Sequence, residues 1–188
     1  MHCNWSSNLV HDWNTRSFSP EFAKELHIEN VQAGAAVMYF YLGTSFGDFM
    51  SGYLSQLFKT RKKILLLFLL TTTIMVPIYL FTSNISSSTF YFICAMLGIA
   101  AGYWAVFVTI ASEQFGTNLR STVTTTVPNF VRGSLVLLVF LLDLFHKNYG
   151  LSLVNSALIV GTLAISIAFI SLTGMHETFG KDLDYVEE

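Results

Sequence analysis

The sequence predicts an all-α protein, a polytopic bundle of membrane-spanning helices, and three observations support this fold class. Hydrophobic residues make up 53% of the chain and charged residues only 12%, whereas a soluble domain carries roughly 25% charged residues. The apolar residues fall into five long segments, each near the ~20 residues that a bilayer core requires. The polar connections between the segments are short, so consecutive helices are expected to pack as antiparallel neighbours.

The five predicted spans differ mainly in their charges and prolines. The first contains Asp48, the second contains Pro77 as an expected kink, and the fourth contains Arg132. Pro128 and Asn129 are expected to interrupt the fourth span, because such breaks are tolerated where the backbone lines a cavity or is otherwise satisfied. Threonines 122 and 124–126 offer the alternative, in which local hydrogen bonds satisfy the freed groups. The spans are predicted at residues 31–58, 64–81, 90–112, 122–145 and 151–175.

The distribution of basic residues predicts the orientation in the membrane, because cytoplasmic loops carry an excess of lysine and arginine. Residues 1–30 are then extracytoplasmic, and 21–28 form either a short surface helix or a loop. Residues 176–188 form a cytoplasmic tail. The short loops favour a bacterial inner membrane. One side carries Lys59, Arg61, Lys62, Lys63, Arg120 and Lys181, and the other carries Arg16, Lys24 and Lys147.

Three motifs resemble signatures of the major facilitator superfamily. The stretch GYLSQLFKTRK at 52–62 resembles the G-x-L-a-D-r-x-G-R-R/K signature, and Glu113 with Arg120 resembles the acid and base that bracket a later loop. HETFGKDLD at 176–184 resembles the P-E-T-x-G-x-x-L-D/E tail of the sugar-porter branch. The resemblance spans residues 20–188 and implies helices eight to twelve of a twelve-helix carrier, hence the C-terminal half of a transporter. The chain is expected to be a fragment of a longer protein or, as the alternative, a half-size carrier that pairs with itself.

The chain also departs from these signatures. Gln56 stands at the acidic position of the first, Leu57 at its arginine and Lys59 at its second glycine, while His176 replaces the proline of the tail. The proline-rich run that sugar porters carry near Trp104 is missing as well. Membership in the superfamily survives these departures, but a sugar substrate does not follow from them.

Asp48 and Arg132 are the expected substrate or proton site, because an ionisable residue within a span is costly and marks a functional position by default. Each lies about 16–18 Å of helix rise from the basic side, so they are expected at similar depth. They either form a structural ion pair, or act on substrate and proton. Asn129, Tyr103 and Trp104 are added to the site as residues that line the path of a solute.

A second group of residues is expected to form a cytoplasmic gate. The resemblance implies that charges at this position make salt bridges that close the transporter on the inside, with Glu113 and Arg120 as the leading pair. The alternative for the lysines is ordinary positive-inside topology. The predicted gate residues are Gly52, Arg61, Lys62, Glu113, Arg120 and Glu177.

The expected function is secondary active transport of a small organic solute by alternating access, coupled to protons. The expected partners are the lipid bilayer, a solute for which Arg132 favours an anionic group, the proton, and an N-terminal six-helix half or a second copy. An efflux carrier and a non-transporting assembly or sensor protein are the alternatives. No residues converge on an enzyme site, and the sequence predicts neither a cofactor, a metal nor nucleic-acid binding.

Overall fold

The structure of the protein is a computed structural model, which describes residues 25–28 and 31–180. These residues are helical apart from short connections and contain no strand, so the predicted all-α fold is confirmed. The helices are α1 (Ala33–Leu57), α2 (Lys62–Phe81), α3 (Ser87–Ala101), α4 (Trp104–Gln114), α5 (Thr117–Asp143) and α6 (Leu153–Gly174).

Four helical stretches among the described residues are long and apolar enough to cross a membrane: α2, α3 together with α4, α5 with the turn that follows it, and α6. Serine side chains cap the N-termini of two of these stretches. Ser86 accepts the N–H of Thr89 at α3, and Ser152 accepts the N–H of Asn155 at α6, as expected of an N-cap residue. The 25-residue α1 is not among the four, and its role as a fifth span remains a prediction.

A stripe of small residues explains the weaker hydropathy of α1. Gly43, Gly47, Ser51 and Ser55 are spaced four apart and are buried, and the two glycines lie against α3 backbone. A methyl group on Gly102 would come within 2.6 Å of the Gly47 Cα. Small residues at this spacing let two helix backbones approach closely in a membrane. Two glycine pairs, 43 with 47 on α1 and 98 with 102 at the end of α3, therefore pack against each other.

Two helix interruptions differ from the prediction. The third span is broken at Gly102 and Tyr103, where α3 ends and α4 begins. No proline is involved, and the break falls where Gly102 packs against α1. Conversely, the predicted break at Pro128 is wrong, because α5 runs through it. Thr124 and Thr125 donate to the carbonyls of residues 120–122, not to the Thr124 carbonyl that Pro128 deprives of its helical N–H partner, so the alternative of local hydrogen bonds remains a prediction.

The two ends of the bundle are built differently. The end that carries Arg61, Glu113 and Glu177 is called the basic end below, and the other the distal end. At the distal end Glu25 accepts the N–H groups of Leu153 and Val154 at the start of α6, and Leu26 and Ile28 are buried. Half of the predicted surface helix, residues 21–24, lies outside the described residues, and residues 25–28 turn at Leu26 and His27, with His27 at φ 57°.

Helix α5 stands apart from the rest of the bundle. It packs on α4 and α6, yet none of its residues is buried, and Phe130 is 81% exposed. One face of α1 is also exposed, including Phe46, Phe49 and Tyr53. Apolar surface of this extent is normal where lipid or another protein surface covers a helix.

Candidate functional site

A buried ion pair lies at the centre of the basic end. The Arg61 guanidinium lies 3.0 Å from the Glu113 carboxylate, and the two residues are only 7% and 8% exposed. Arg61 begins α2 as its N-cap, whereas Glu113 is in the last turn of α4. Arg61 also donates to the Ser55 hydroxyl of α1 at 2.6 Å. One guanidinium thus joins α1, α2 and α4.

The tail that follows α6 closes this cluster. The Thr178 hydroxyl donates to Glu113 at 2.7 Å, and the ring of Phe179 lies 5.1 Å below the Arg61 guanidinium. The Glu177 carboxylate accepts the Arg61 N–H at 2.8 Å and the Thr60 hydroxyl at 2.7 Å. Four separate segments of the chain therefore meet around one arginine.

Glu177 is held in its charged form by these contacts. Burial raises the pKa of this carboxyl, but the Arg61 N–H, the Thr60 hydroxyl and further backbone N–H groups outweigh it and lower the pKa from 4.5 to about 2. A carboxylate at the first turn of α2 is also favoured by the positive end of the helix dipole. The tail is thus fastened by a charge that persists throughout the physiological pH range.

The remaining predicted gate residues have other partners. Lys62 donates through Nζ to the carbonyls of Met175 and Thr173, which ties the start of α2 to the end of α6. Arg120 donates to the carbonyls of Ser112 and Phe115. The expected pairing of Glu113 with Arg120 is therefore corrected, because the partner of Glu113 in the described ion pairs is Arg61.

Lys59, in the stretch that resembles the first signature, has an unusual backbone conformation. Lys59 stands where the signature has glycine, and it adopts the left-handed conformation with φ 52°. This conformation costs residues other than glycine, including this lysine, roughly 1–2 kcal/mol. Gly52, the first glycine of the same signature, has no such requirement, and an added Cβ there would meet nothing within 4 Å. Its carbonyl accepts the Ser55 hydroxyl at 2.8 Å.

Near the middle of the bundle, the expected pair of Asp48 and Arg132 is replaced by two separate contacts. The Asp48 carboxylate accepts the N–H of Ala105 at 3.1 Å, in the first turn of α4. The Arg132 guanidinium lies 5.7 Å above the Trp104 ring. Asp48 and Arg132 form no ion pair among the described residues. Both side chains reach the helix break, at the adjacent residues Ala105 and Trp104, and their common depth remains a prediction.

Trp104 and Tyr103 line a cavity of about 470 Å³ between α2, α4, α5 and α6. Its walls are mainly aliphatic and aromatic, and its volume is within the range of small-molecule sites. Asp48, Arg132 and Asn129 do not line it. Asn129 donates to the Thr125 carbonyl of its own helix at 3.0 Å.

Four residues that complete the basic cluster were not singled out from the sequence: Ser55, Thr60, Thr178 and Phe179. Two of them were visible as motif positions, since Ser55 occupies the small position of the first signature and Thr178 the threonine of the tail signature. Thr60 and Phe179 carried no signal, because only the folded chain brings residue 60 and residue 179 to the same arginine.

The apolar helices, the glycine-packed pair and the buried charged cluster define an integral membrane protein built as an α-helical bundle. A family model described as Major Facilitator Superfamily matches residues 7–128, which is well over half of the chain. The chain therefore belongs to this superfamily of membrane transporters. The match includes the first signature and both Glu113 and Arg120, and it ends before the tail. Comparison with curated proteins and with solved structures gave no match.

Proposed function

We propose that the protein is a secondary active transporter of a small organic solute that works by alternating access, with the basic end as its cytoplasmic gate. The observation that carries this proposal is the buried Arg61–Glu113 pair, at 3.0 Å. A buried ion pair suits a gate because the attraction between its two charges roughly balances the hydration free energy that both charges lose on burial. When water reaches both groups, the pair opens at little net cost, so the cluster has two states of similar free energy.

Asp48 is the proposed proton site. Its carboxylate accepts an N–H at the start of α4, where the helix dipole favours a negative charge, so protonation weakens this contact. Glu113 lies eight residues beyond Ala105 on the same helix, or about 12 Å along a rigid rod. Binding of a proton at one end of α4 is thereby coupled to the ion pair at its other end.

The proposed solute site lies at the helix break. Arg132 is exposed beside Trp104 and favours a solute with an anionic group, while Tyr103 and Trp104 supply aromatic surface. The exposed faces of α1 and α5 are the surfaces that a second six-helix half, or a second copy of this chain, covers to complete the transport pathway. Carriers of this kind bind substrate between two such halves.

Solute-dependent proton movement tests the transport proposal with probes of each charge class. The native gene product is reconstituted in vesicles that contain a pH-sensitive dye, and an inward proton gradient is imposed. Gluconate, glucose and choline then serve as anionic, neutral and cationic probes, followed by wider panels of each class. We expect one class, with anions favoured, to accelerate acidification, and Asp48→Asn to abolish that response.

The matched control is Asp143→Asn, which removes a carboxylate paired with Lys147 near the distal end and should leave the response intact. Proton uptake that no solute class accelerates would instead favour a non-transporting assembly or sensor protein. An unchanged response in Asp48→Asn would remove the proton role of that residue. The size of the native gene product, measured with a tag after Glu188, decides between a second half and a second copy.

A further inference from the structure

Arg132 is a cation near the middle of a helix that is long and apolar enough to cross a membrane. It lies fifteen residues after the start of α5 and eleven before its end. Among the described residues it forms no ion pair, and its guanidinium lies 5.7 Å from the centre of the uncharged Trp104 ring. An arginine within a span is costly unless an anion compensates its charge. Arg132 therefore calls for an anionic partner that the described part of the chain does not supply.

The arginine lies at the rim of the 470 Å³ cavity between α2, α4, α5 and α6. The Trp104 ring that contacts Arg132 forms part of the cavity wall, and so does Val131, the residue before the arginine on α5. The first and last residues of α4, Trp104 and Gln114, both line the cavity, which therefore extends about 15 Å along this helix. The cavity thus begins beside a cation at the helix break and runs from there toward the basic end.

The cavity walls suit a hydrocarbon rather than a hydrophilic solute. Among the described residues that line the cavity none is charged, and all except Tyr103, Trp104, Gln114 and Ser171 have side chains without nitrogen or oxygen. Transfer of a hydrocarbon group from water to such walls is favourable, whereas a hydroxyl group would lose its water without gaining a hydrogen bond. A sugar acid would match the charge at the rim but not the walls of the cavity.

We propose that the solute is an amphiphilic organic anion, with its acidic group beside Arg132 and its hydrocarbon body in the 470 Å³ cavity. This inference rests on the proposed function and names the substrate class of the same site. Arg132 supplies the charge that selects an anion, and the cavity supplies an affinity that rises with the apolar surface of the solute. Trp104 contacts the arginine and lines the cavity, so it fixes the distance between the two parts of the site.

Binding of alkyl sulfonates tests the substrate class, because a sulfonate keeps its negative charge at any physiological pH. The native gene product is placed in nanodiscs, and binding of isotope-labelled butanesulfonate and hexanesulfonate is measured by equilibrium dialysis, with empty nanodiscs as the background. We expect hexanesulfonate to bind roughly fifteenfold more tightly, since each buried methylene group contributes about fourfold. Hexanol, which has the chain without the charge, and gluconate, which has the charge without the chain, should each compete weakly.

Two kinds of variant separate the acidic group from the hydrocarbon body. Arg132→Gln should weaken both sulfonates roughly tenfold or more and leave the ratio of their affinities unchanged, whereas Arg132→Lys should keep most of the affinity. Ala168→Phe places a ring in the cavity and should bring the ratio toward one, and Ala168→Leu makes the same test with a smaller side chain. The matched controls are Lys147→Gln, near the distal end, and Ile167→Phe, at a 56% exposed residue outside the cavity lining. Neither control should change the binding.

Equal affinity for the two sulfonates would overturn the inference, as would a ratio that survives both Ala168 variants or an affinity that Arg132→Gln leaves unchanged. Failure of the transport proposal gives a different pattern, in which hexanesulfonate binds as expected but no solute class accelerates proton uptake. Conversely, proton uptake that gluconate accelerates, without binding of hexanesulfonate, would leave the transport proposal standing and refute the amphiphilic anion.

Discussion

Loss of the Glu113 carboxylate should reveal how much the basic cluster contributes to stability. At 3.0 Å and an effective dielectric constant near 20, the attraction between Arg61 and Glu113 is about 5.5 kcal/mol. Glu113→Gln removes this attraction and leaves a guanidinium that is 7% exposed without its counter-charge. The glutamine carbonyl can still accept a hydrogen bond, so we expect a loss of about 3 kcal/mol, the lower end for breaking a buried pair.

The assay is reversible unfolding of the full chain in mixed micelles, followed by circular dichroism as denaturing detergent is added. Lys147→Gln is the matched control, since it breaks a pair whose side chains are 62% and 29% exposed and should cost no more than about 0.5 kcal/mol. A double variant, Arg61→Met with Glu113→Leu, leaves no buried charge and should be more stable than Glu113→Gln alone. The reasoning is refuted if Glu113→Gln costs no more than Lys147→Gln, or if the double variant is the less stable of the two.

Three further predictions concern packing, backbone conformation and the tail. Gly98→Ala places a methyl group against α1 backbone and should cost about 1–3 kcal/mol in the same assay, whereas Gly133→Ala meets nothing within 4 Å and should not destabilise; equal effects would contradict the close packing. Lys59→Gly should stabilise the protein by about 1 kcal/mol, because φ at this position is 52° and glycine adopts it without strain; a higher midpoint of unfolding would support this, and a lower one would refute it. The lowered pKa of Glu177, about 2, means that its stabilising contribution is complete above its ordinary pKa of 4.5 and is lost as the pH falls through 2; Glu177→Gln should flatten the stability profile in that window, and an unchanged profile would show that other groups are responsible.

The sequence predicted the features that depend on solvent preference and local pattern. Uninterrupted apolar segments of bilayer length have few alternatives to a helix, because every backbone polar group must be satisfied internally in lipid. The three motifs at residues 52–62, 113–120 and 176–184 together indicated the superfamily, which the family comparison then confirmed. Lys59 illustrates the limit of sequence patterns: the residue departs from the glycine of the signature, and only the structure shows that its backbone is left-handed, with φ 52°.

Which side chains meet was decided by tertiary structure. The sequence placed Asp48 and Arg132 at one depth, and both do reach the helix break, but their rotation about the helix axes sends one to the Ala105 N–H and the other to the Trp104 ring. It likewise offered Arg120 as the partner of Glu113, where the fold supplies Arg61. Depth follows from counting residues along a helix, because the rise per residue is constant. Pairing depends on how helices rotate and cross, and backbone contacts such as that between Gly47 and Gly102 set that geometry.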